Sequence, residues 1–316
     1  MGSLLPHAEV TAVHAPPGVR RGPAERKAKV IAALRKGWEP PSPLVFEVNR
    51  LLSNSPVDLG RIEAVVESDA AMARAIWANC ASVCGTAEWA GDSLDEAVVL
   101  LGIDRFRFAV STHSLLGQTA GGTPPEILRW FWERSFRVGC VSDRIGRWLG
   151  HFPAEYPFLA GLFHDVGMLP LMAAARWPEL ESARIRALLG RIEWERKYFG
   201  LDHCVAGGLI ATAWEMPERL AETLIHHHDP ARSGDVSDLL RIVAAAEEIV
   251  AGYDAAWLAP HWLDAPRPPR SHLEILTLRL PKTGAAGARH LASAIQEEWS
   301  HFGLFAGSGD PRLFGT

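Results

Sequence analysis

Histidines and carboxylates collect in the second half of the sequence, within segments that are otherwise apolar. They are His164, Asp165, His203, His226, His227, His228, Asp229 and Glu247. Imidazole and carboxylate groups together suit Mn, Fe, Ni or Zn, and a water molecule that completes such a shell can be activated as a nucleophile. The set therefore indicates a divalent transition-metal site or a group of hydrogen-bonded polar side chains.

The adjacent pair His164 and Asp165 is the strongest of these signals, because it interrupts the apolar run Gly-Leu-Phe-His-Asp-Val-Gly at 161–167. A buried carboxylate is costly unless it is paired or coordinated. A metal site satisfies this requirement, and so does a buried hydrogen-bonded pair that fixes helix packing. Both interpretations stay open at this point.

The other polar residues leave similar alternatives. His203 is equally compatible with a ligand and with a structural role, whereas at least one of His227 and His228 is expected to face the same pocket. We expect His226 to lie at the surface or behind the ligands. Glu247 is either a ligand or a solvated helix residue like Glu248.

Apolar residues recur at three- and four-residue spacing along most of the chain, which predicts α-helices. Asp58 is a candidate helix N-cap, Ser93 with Glu96 forms a capping-box pattern, and Gly102 is placed to end a helix. Longer helices are predicted at 104–116, 124–148, 156–175 (one buried helix), 181–199, 204–214, 217–227, 237–253 and 289–299. With no β-hairpin or βαβ pattern, the predicted fold class is all-α.

These segments resemble the HDOD family, a degenerate branch of the HD phosphohydrolases. The resemblance rests on Gly-Leu-Phe-His-Asp-Val-Gly, then His-Cys-Val-Ala-Gly-Gly, Trp-Glu-Met-Pro and Ile-His-His-His-Asp-Pro, in that order. Ser68-Asp69 with Trp77-Ala-Asn79, and Ala97-Val-Val-Leu-Leu-Gly102, are similar to the N-terminal segments of the family. The resemblance covers about 40–250 and implies a multi-helix HD-like bundle with an N-terminal helical subdomain.

The HD superfamily implies metal ligands from several helices. Position by position, His164 and Asp165 match its doublet, His203 its single later histidine, and His227 with His228 its histidine pair. Glu247 stands where a final aspartate is expected.

The early histidine of the superfamily is missing, because Arg134 falls at its position. A guanidinium cannot coordinate a divalent ion, and its fixed charge repels one. In addition, Gly167-Met168 replaces the Gly-Lys of active HD-GYP enzymes, and no Gly-Tyr-Pro follows the histidine pair. Arg134 is therefore predicted to pair with Asp165 where a metal would otherwise lie.

Two functions follow from the resemblance. The first is a non-catalytic bacterial signalling module with a degenerate pocket and no cofactor, which acts through a signalling protein partner or a nucleotide-like ligand. The alternative is a metal-dependent phosphohydrolase of a nucleotide or cyclic dinucleotide, in which Asp165 is catalytic. Nucleic-acid binding through residues 20–36 and 58–79 is disfavoured by the net charge of −5.

Composition and breaks in the pattern suggest the organisation of the chain. We expect a flexible basic segment at 1–39, a helical domain at 40–253 with halves 40–122 and 123–253, and an extension at 254–316. Within the first segment, residues 23–36 are expected to form a short basic amphipathic helix with a solvated face. The four cysteines form no CxxC pair, and those at 80 and 84 are expected to be buried free thiols, as in a reducing cytoplasm. No signal segment or membrane-spanning run is expected, which predicts a cytoplasmic protein.

Overall fold

The computed structural model describes residues 22–298 except for 36–37, 55, 87, 90, 92, 117–122, 151–152, 154, 176–191, 230–236 and 259–270. Over these residues the protein is helical and has no β-strand, which confirms the predicted class. The helices are α1 (Pro23–Arg35), α2 (Leu44–Leu52), α3 (Leu59–Glu67), α4 (Ala70–Cys84), α5 (Leu94–Leu116), α6 (Pro125–Leu149), α7 (Tyr156–Phe163), α8 (Met168–Ala174), α9 (Ile192–Phe199), α10 (His203–Ala213), α11 (Glu218–His226), α12 (Asp238–Leu258), α13 (His272–Arg279) and α14 (Gly284–Glu298).

Local sequence signals set several of these boundaries. The Asp58 carboxylate accepts a hydrogen bond from the backbone N–H of Arg61 at the start of α3, as predicted. Asp69 caps α4 in the same way, through the N–H groups of Ala71 and Met72. Gly102 breaks the helical path within α5 with a φ of 73° and a ψ of 160°, so its predicted stop signal is confirmed as a kink.

The run 156–175, predicted as one buried helix, is instead two short helices. α7 ends at Phe163 and α8 begins at Met168, and residues 164–167 form a turn between them. Within this turn the N–H of Val166 donates to the carbonyl of Phe163, and the N–H of Met168 donates to that of Asp165. Hydrophobic periodicity missed the break because residues 157–172 are all buried, so all faces of the two helices are apolar.

This run also has the length and composition of a membrane-spanning helix, contrary to the expectation that no such segment exists. Its most apolar window is 94% buried inside the protein. An apolar helix in the core of a globular fold passes the same test, so the feature is weak evidence for a membrane span.

Apolar side chains form two clusters among the described residues, and the larger one extends from α2 to α14, from Val45 to Ile295. The C-terminal region contributes to it through Ile275 and Leu276 of α13 and Leu291 of α14. α13 was not predicted, although its start carries a complete capping box between Ser271 and Glu274.

The basic helix predicted at 23–36 is present as α1 (Pro23–Arg35), but it packs on the second half of the protein, whereas a solvated face was expected. Val30 is fully buried with Leu171 of α8 and Phe199 of α9. The Arg26 guanidinium lies 4.2 Å from the centre of the Tyr198 ring and donates to the Tyr198 carbonyl. α1 therefore has a buried face that the basic composition concealed. Residues 1–21 lie outside the described residues.

The free cysteines differ from prediction at one position. All four are unpaired, and Cys80 is buried as expected, but Cys84 is exposed at the last turn of α4. Gly85, with a φ of 68°, ends the helix immediately after it, and the chain turns away without covering the thiol.

Arg107 of α5 joins the N-terminal helices to the rest of the fold. Its side chain is fully buried, donates to the Asn49 side chain of α2 at 3.0 Å and lies 3.1 Å from Asp143 of α6. Its guanidinium also stacks 4.1 Å from the centre of the Phe158 ring of α7. One buried cation thus contacts three other helices, and a substitution would leave several polar groups unpaired.

We expect Arg107→Met to lower the free energy of unfolding by about 3 kcal/mol, because it leaves buried polar groups without their charged partner. Arg50→Met is the matched control, since Arg50 forms a largely exposed pair with Glu47 at 3.8 Å. Its cost should stay below about 1 kcal/mol. Urea unfolding followed by circular dichroism measures both. Equal losses in the two variants would contradict a joining role for Arg107.

Candidate functional site

Five separate elements bring the predicted site residues into one pocket. Arg134 comes from α6, His164 and Asp165 from the turn between α7 and α8, and His203 from the first residue of α10. His227 and His228 directly follow α11, and Glu247 lies on α12. His226 is half-buried and belongs to neither of the clusters whose side chains could share an ion.

Two glycines let the central turn approach its neighbours. A Cβ at Gly167 would lie 2.0 Å from the His203 carbonyl oxygen, and one at Gly161 would lie 2.6 Å from the Val138 carbonyl oxygen. Both distances are shorter than any real carbon contact, so only glycine fits. The motif glycines therefore allow Asp165 to sit against α10 and α6 at once.

On one side of the pocket, Arg134 forms ion pairs with two carboxylates. Its Nη1 lies 2.5 Å from Asp165 Oδ2, and its Nη2 lies 2.9 Å from Glu247 Oε1. The same Nη1 is 3.3 Å from His164 Nε2. The guanidinium thus occupies the space between three residues that the sequence offered as metal ligands, and the predicted pairing of Arg134 with Asp165 is present.

The His164 ring is oriented to accept from this arginine. Its Nδ1 lies 2.6 Å from the Gly161 carbonyl, which can only accept, so Nδ1 carries a proton. Its Nε2 lies 3.3 Å from Arg134 Nη1 and 3.2 Å from Asp165 Oδ2, so it can accept from the guanidinium or, when it carries a proton, donate to the carboxylate. No vacant lone pair is left for an ion on this side of the doublet.

On the other side of the pocket, Asp165 Oδ1 faces two imidazoles. It lies 3.3 Å from His203 Nε2 and 3.2 Å from His227 Nε2, and these two nitrogens are 3.1 Å apart. Asp165 Oδ1 is buried and has no hydrogen-bond partner among the described residues. The two oxygens of Asp165 therefore serve different environments, one cationic and one imidazole-lined.

Hydrogen bonds behind the imidazoles fix where their protons lie. His203 Nδ1 is 2.6 Å from the fully buried carboxylate of Glu195, which also accepts from the His203 backbone N–H at 2.8 Å. His227 Nδ1 is 2.8 Å from the Thr223 carbonyl. Both Nδ1 atoms donate, so both Nε2 atoms direct lone pairs at Asp165 Oδ1 and at each other.

Three converging lone pairs repel unless a positive charge lies between them. A proton on His203 supplies this charge within the protein. Burial disfavours that proton, but the Glu195 carboxylate outweighs it and raises the pKa of His203 well above its ordinary value. A divalent cation is the alternative, and its binding would release the proton.

The donor set on this side fits a transition metal. Asp165, His203, His227 and His228 each offer one ligand atom, and these atoms lie within 4.8 Å of one another. Imidazole nitrogens with one carboxylate suit Zn, Fe, Mn or Ni, and the partly exposed His228 leaves the site open to solvent. A second possible group, His164, His227 and Glu247, includes two side chains that Arg134 already contacts.

Glu195 is the site residue that the sequence analysis missed. It lies on α9 among charged residues, Glu-Trp-Glu-Arg-Lys, that suggest a solvated helix. The chain reverses direction between α9 and α10, so the Glu195 side chain lies against His203 and is fully buried. Glu195 and His203 are eight residues apart and lie on different helices. Helical periodicity predicts contacts within one helix, so it could not predict this contact across the intervening turn.

The carboxylates beside Arg134 are held ionised. Burial alone would raise the pKa of Glu247, but His228 and Arg134 outweigh it and lower the pKa to about 2. Burial likewise opposes ionisation of Asp165, yet His164 and Arg134 hold its pKa well below the ordinary value. Their contribution to stability is therefore present above the ordinary carboxyl pKa and is lost as the pH falls.

We expect the free energy of unfolding to fall between about pH 5 and pH 2 as Glu247 and Asp165 take up protons. In Arg134→Met this acid-side loss should be shallower, because the cation that lowers both pKa values is gone. At neutral pH the same variant should be less stable by about 3 kcal/mol. Arg129→Met, on the same helix, is the control, and urea unfolding at each pH is the measurement. An unchanged acid slope in Arg134→Met would refute the ion-pair assignment.

Comparison with known proteins agrees with this architecture. Residues 39–230 match the HDOD domain. A protein of Shewanella amazonensis SB2B that is provisionally assigned as a phosphohydrolase has 20% identity and a TM-score of 0.55, over 91% of this chain and 98% of its own. An HDOD domain protein of unknown function from Geobacter sulfurreducens has 19% identity and a TM-score of 0.56, over 88% of this chain and 96% of its own.

No curated protein matches the chain at a significant level. The two structural neighbours are below 25% identity, so they show the shared helical fold and leave the activity open. The domain match spans more than half of the chain and includes Arg134, the doublet and the later histidines. This chain therefore belongs to the HDOD family.

Proposed function

We propose that this protein is a non-catalytic signalling module whose HD-type pocket is held by an internal cation. The observation that carries the proposal is the Arg134 guanidinium, which lies between Asp165 Oδ2 at 2.5 Å and Glu247 Oε1 at 2.9 Å. A divalent ion cannot occupy the same place while this fixed positive charge is present. The module would act through a protein partner or a small nucleotide-like ligand.

Energetics favour retention of this arrangement. Arg134, Asp165 and Glu247 are largely buried, and removing one member of such a group leaves an unpaired charge in the interior. Displacing Arg134 to admit a metal would leave Asp165 and Glu247 without their charged partner, at the same cost in free energy, unless the metal fully replaces the charge of the guanidinium. The pocket is thus stabilised in a state without an ion on that side.

The setting of the module is part of the same proposal. Four free cysteines, three of them buried, fit a reducing compartment, which supports a bacterial cytoplasmic protein. The net charge of −5 gives no general attraction to nucleic acid, which supports a protein or small-molecule partner.

A metal-dependent phosphohydrolase is the second candidate, favoured by the imidazole side of the pocket. Asp165, His203, His227 and His228 would hold one ion, which would act as a Lewis acid and lower the pKa of a bound water. The chain's own contribution would be to fix the imidazoles, through Glu195 at 2.6 Å from His203 Nδ1 and the Thr223 carbonyl at 2.8 Å from His227 Nδ1. Arg134 would then face the phosphate oxygens of a substrate.

Activity assays separate these two candidates. We expect no turnover of bis(p-nitrophenyl) phosphate or cyclic di-GMP by the purified chain with added Mn, Fe, Ni or Zn, because one half of the pocket lacks a place for an ion. Any trace of hydrolysis should persist unchanged in Asp165→Asn, which would identify it as a contaminant. Turnover that disappears in Asp165→Asn would overturn the non-catalytic proposal.

Exchanging the arginine tests what excludes the ion. Arg134→His should bind one more equivalent of transition metal per chain than the wild-type protein, because an imidazole replaces a permanent cation beside His164, Asp165 and Glu247. Arg129→His, on the same helix, should leave the metal content unchanged. Elemental analysis after equilibrium dialysis against Zn or Mn gives the count. Equal metal content in wild type and Arg134→His would show that Arg134 does not exclude an ion.

A further inference from the structure

A groove runs along α4 in the N-terminal half, away from the pocket. Its first part is a cavity of about 380 Å³ between α3, α4 and the start of α5. Its second part is a cavity of about 310 Å³ that lies between α4 and the residues Glu88, Trp89 and Gly91. Trp77 lines both cavities and joins them. The α4 side of the groove is lined by small side chains, which leave room for a ligand: Ala70, Ala73, Ala78 and Ala81.

Two indole rings line the second cavity. Trp77 and Trp89 are both only partly buried, so their rings are available to a ligand. Trp89 is held in place by Gly91, where a Cβ would lie 2.1 Å from a ring carbon and 2.6 Å from a Glu96 carboxylate oxygen.

The polar lining of the groove is mainly acidic. Glu63 and Glu67 lie one turn apart on α3 and line the first cavity, and Glu88 lines the second. Among the described residues that line the two cavities, Arg74 is the one basic side chain, so three carboxylates face one guanidinium. The groove therefore repels phosphates and attracts cations.

We propose that this groove binds an extended basic segment of a protein partner, with an arginine or lysine side chain against Trp77 and Trp89. An indole ring attracts a cation over its face, and arginine adds a planar surface that stacks on the ring. Carboxylates at the rim complement the charge of the segment.

The size and the division of the groove fit such a segment. Each cavity is at the small end of ligand pockets, large enough for one long side chain. Two cavities on either side of Trp77 fit two basic side chains of one segment. An apolar partner helix would place its surface against the carboxylates at a desolvation cost, whereas a basic segment pairs with them.

The groove is separate from the pocket, so its role is independent of the proposed function. The groove is lined by residues of α3, α4 and the start of α5 together with Glu88, Trp89 and Gly91, whereas the pocket is built from α6 to α12. Metal content and hydrolysis depend on Arg134 and Asp165, and neither residue lines the groove. Failure of the binding test would leave the account of the pocket unchanged.

The test uses a dye-labelled peptide with three arginines separated by glycines, and the same peptide with citrulline in place of arginine. Fluorescence anisotropy against the full chain should show salt-sensitive binding of the arginine peptide and at least tenfold weaker binding of the citrulline peptide. The triple variant Glu63→Gln, Glu67→Gln and Glu88→Gln should lose at least tenfold in affinity. A triple variant at Glu215, Glu218 and Glu297, exposed carboxylates outside the groove, is the charge-matched control and should bind like the wild type.

Two further variants separate the groove from general acidity. Trp89→Phe keeps a ring that attracts a cation less strongly than an indole does, and Gly91→Ala displaces the Trp89 ring, so each should weaken binding severalfold while the unfolding midpoint stays within the range of the control triple variant. Equal binding of the two peptides, equal losses in both triple variants, or no binding at millimolar peptide would overturn the proposal.

Discussion

The ion pairs between Arg134, Asp165 and Glu247 determine what the rest of this pocket can do. A permanent cation 2.5 Å from Asp165 Oδ2 and 2.9 Å from Glu247 Oε1 neutralises one of these two negative charges without any ion from solution. Because a guanidinium keeps its charge at all accessible pH values, this contribution is not switched by pH on the basic side. His164 and His228 act with the cation to keep the two carboxylates ionised, and the carboxylates in turn compensate the buried charge of Arg134.

The division of Asp165 between two environments follows from that constraint. With Oδ2 committed to Arg134, only Oδ1 faces His203 and His227, at 3.3 and 3.2 Å. Glu195 and the Thr223 carbonyl direct the imidazole protons away from this point, so the remaining half of the pocket requires either one proton or one cation. A shared carboxylate thus couples the two halves: a change at Arg134 alters the charge that the histidines experience.

Much of the fold and part of this pocket could be predicted from the sequence. Short-range signals such as the Asp58 cap and the Gly102 break depend on residues that are close in the chain, so they can be recognised from the sequence alone. The pairing of Arg134 with Asp165 followed from matching motifs to a family. Glu195 was missed because its burial depends on the chain folding back from α9 to α10, and the turn at 164–167 was hidden by complete burial. The packed face of α1 was concealed by its basic composition, since Arg26 is buried through a contact with a residue 172 positions away.

A crystal structure of the wild-type chain grown with excess Mn²⁺, with anomalous data collected for that metal, tests the central claim most directly. The account predicts guanidinium density bridging Asp165 and Glu247 and no anomalous peak among His164, Asp165 Oδ2 and Glu247, whether or not an ion is found beside His203 and His227. An anomalous peak at that position, with Arg134 turned away and a water molecule completing the shell, would contradict it.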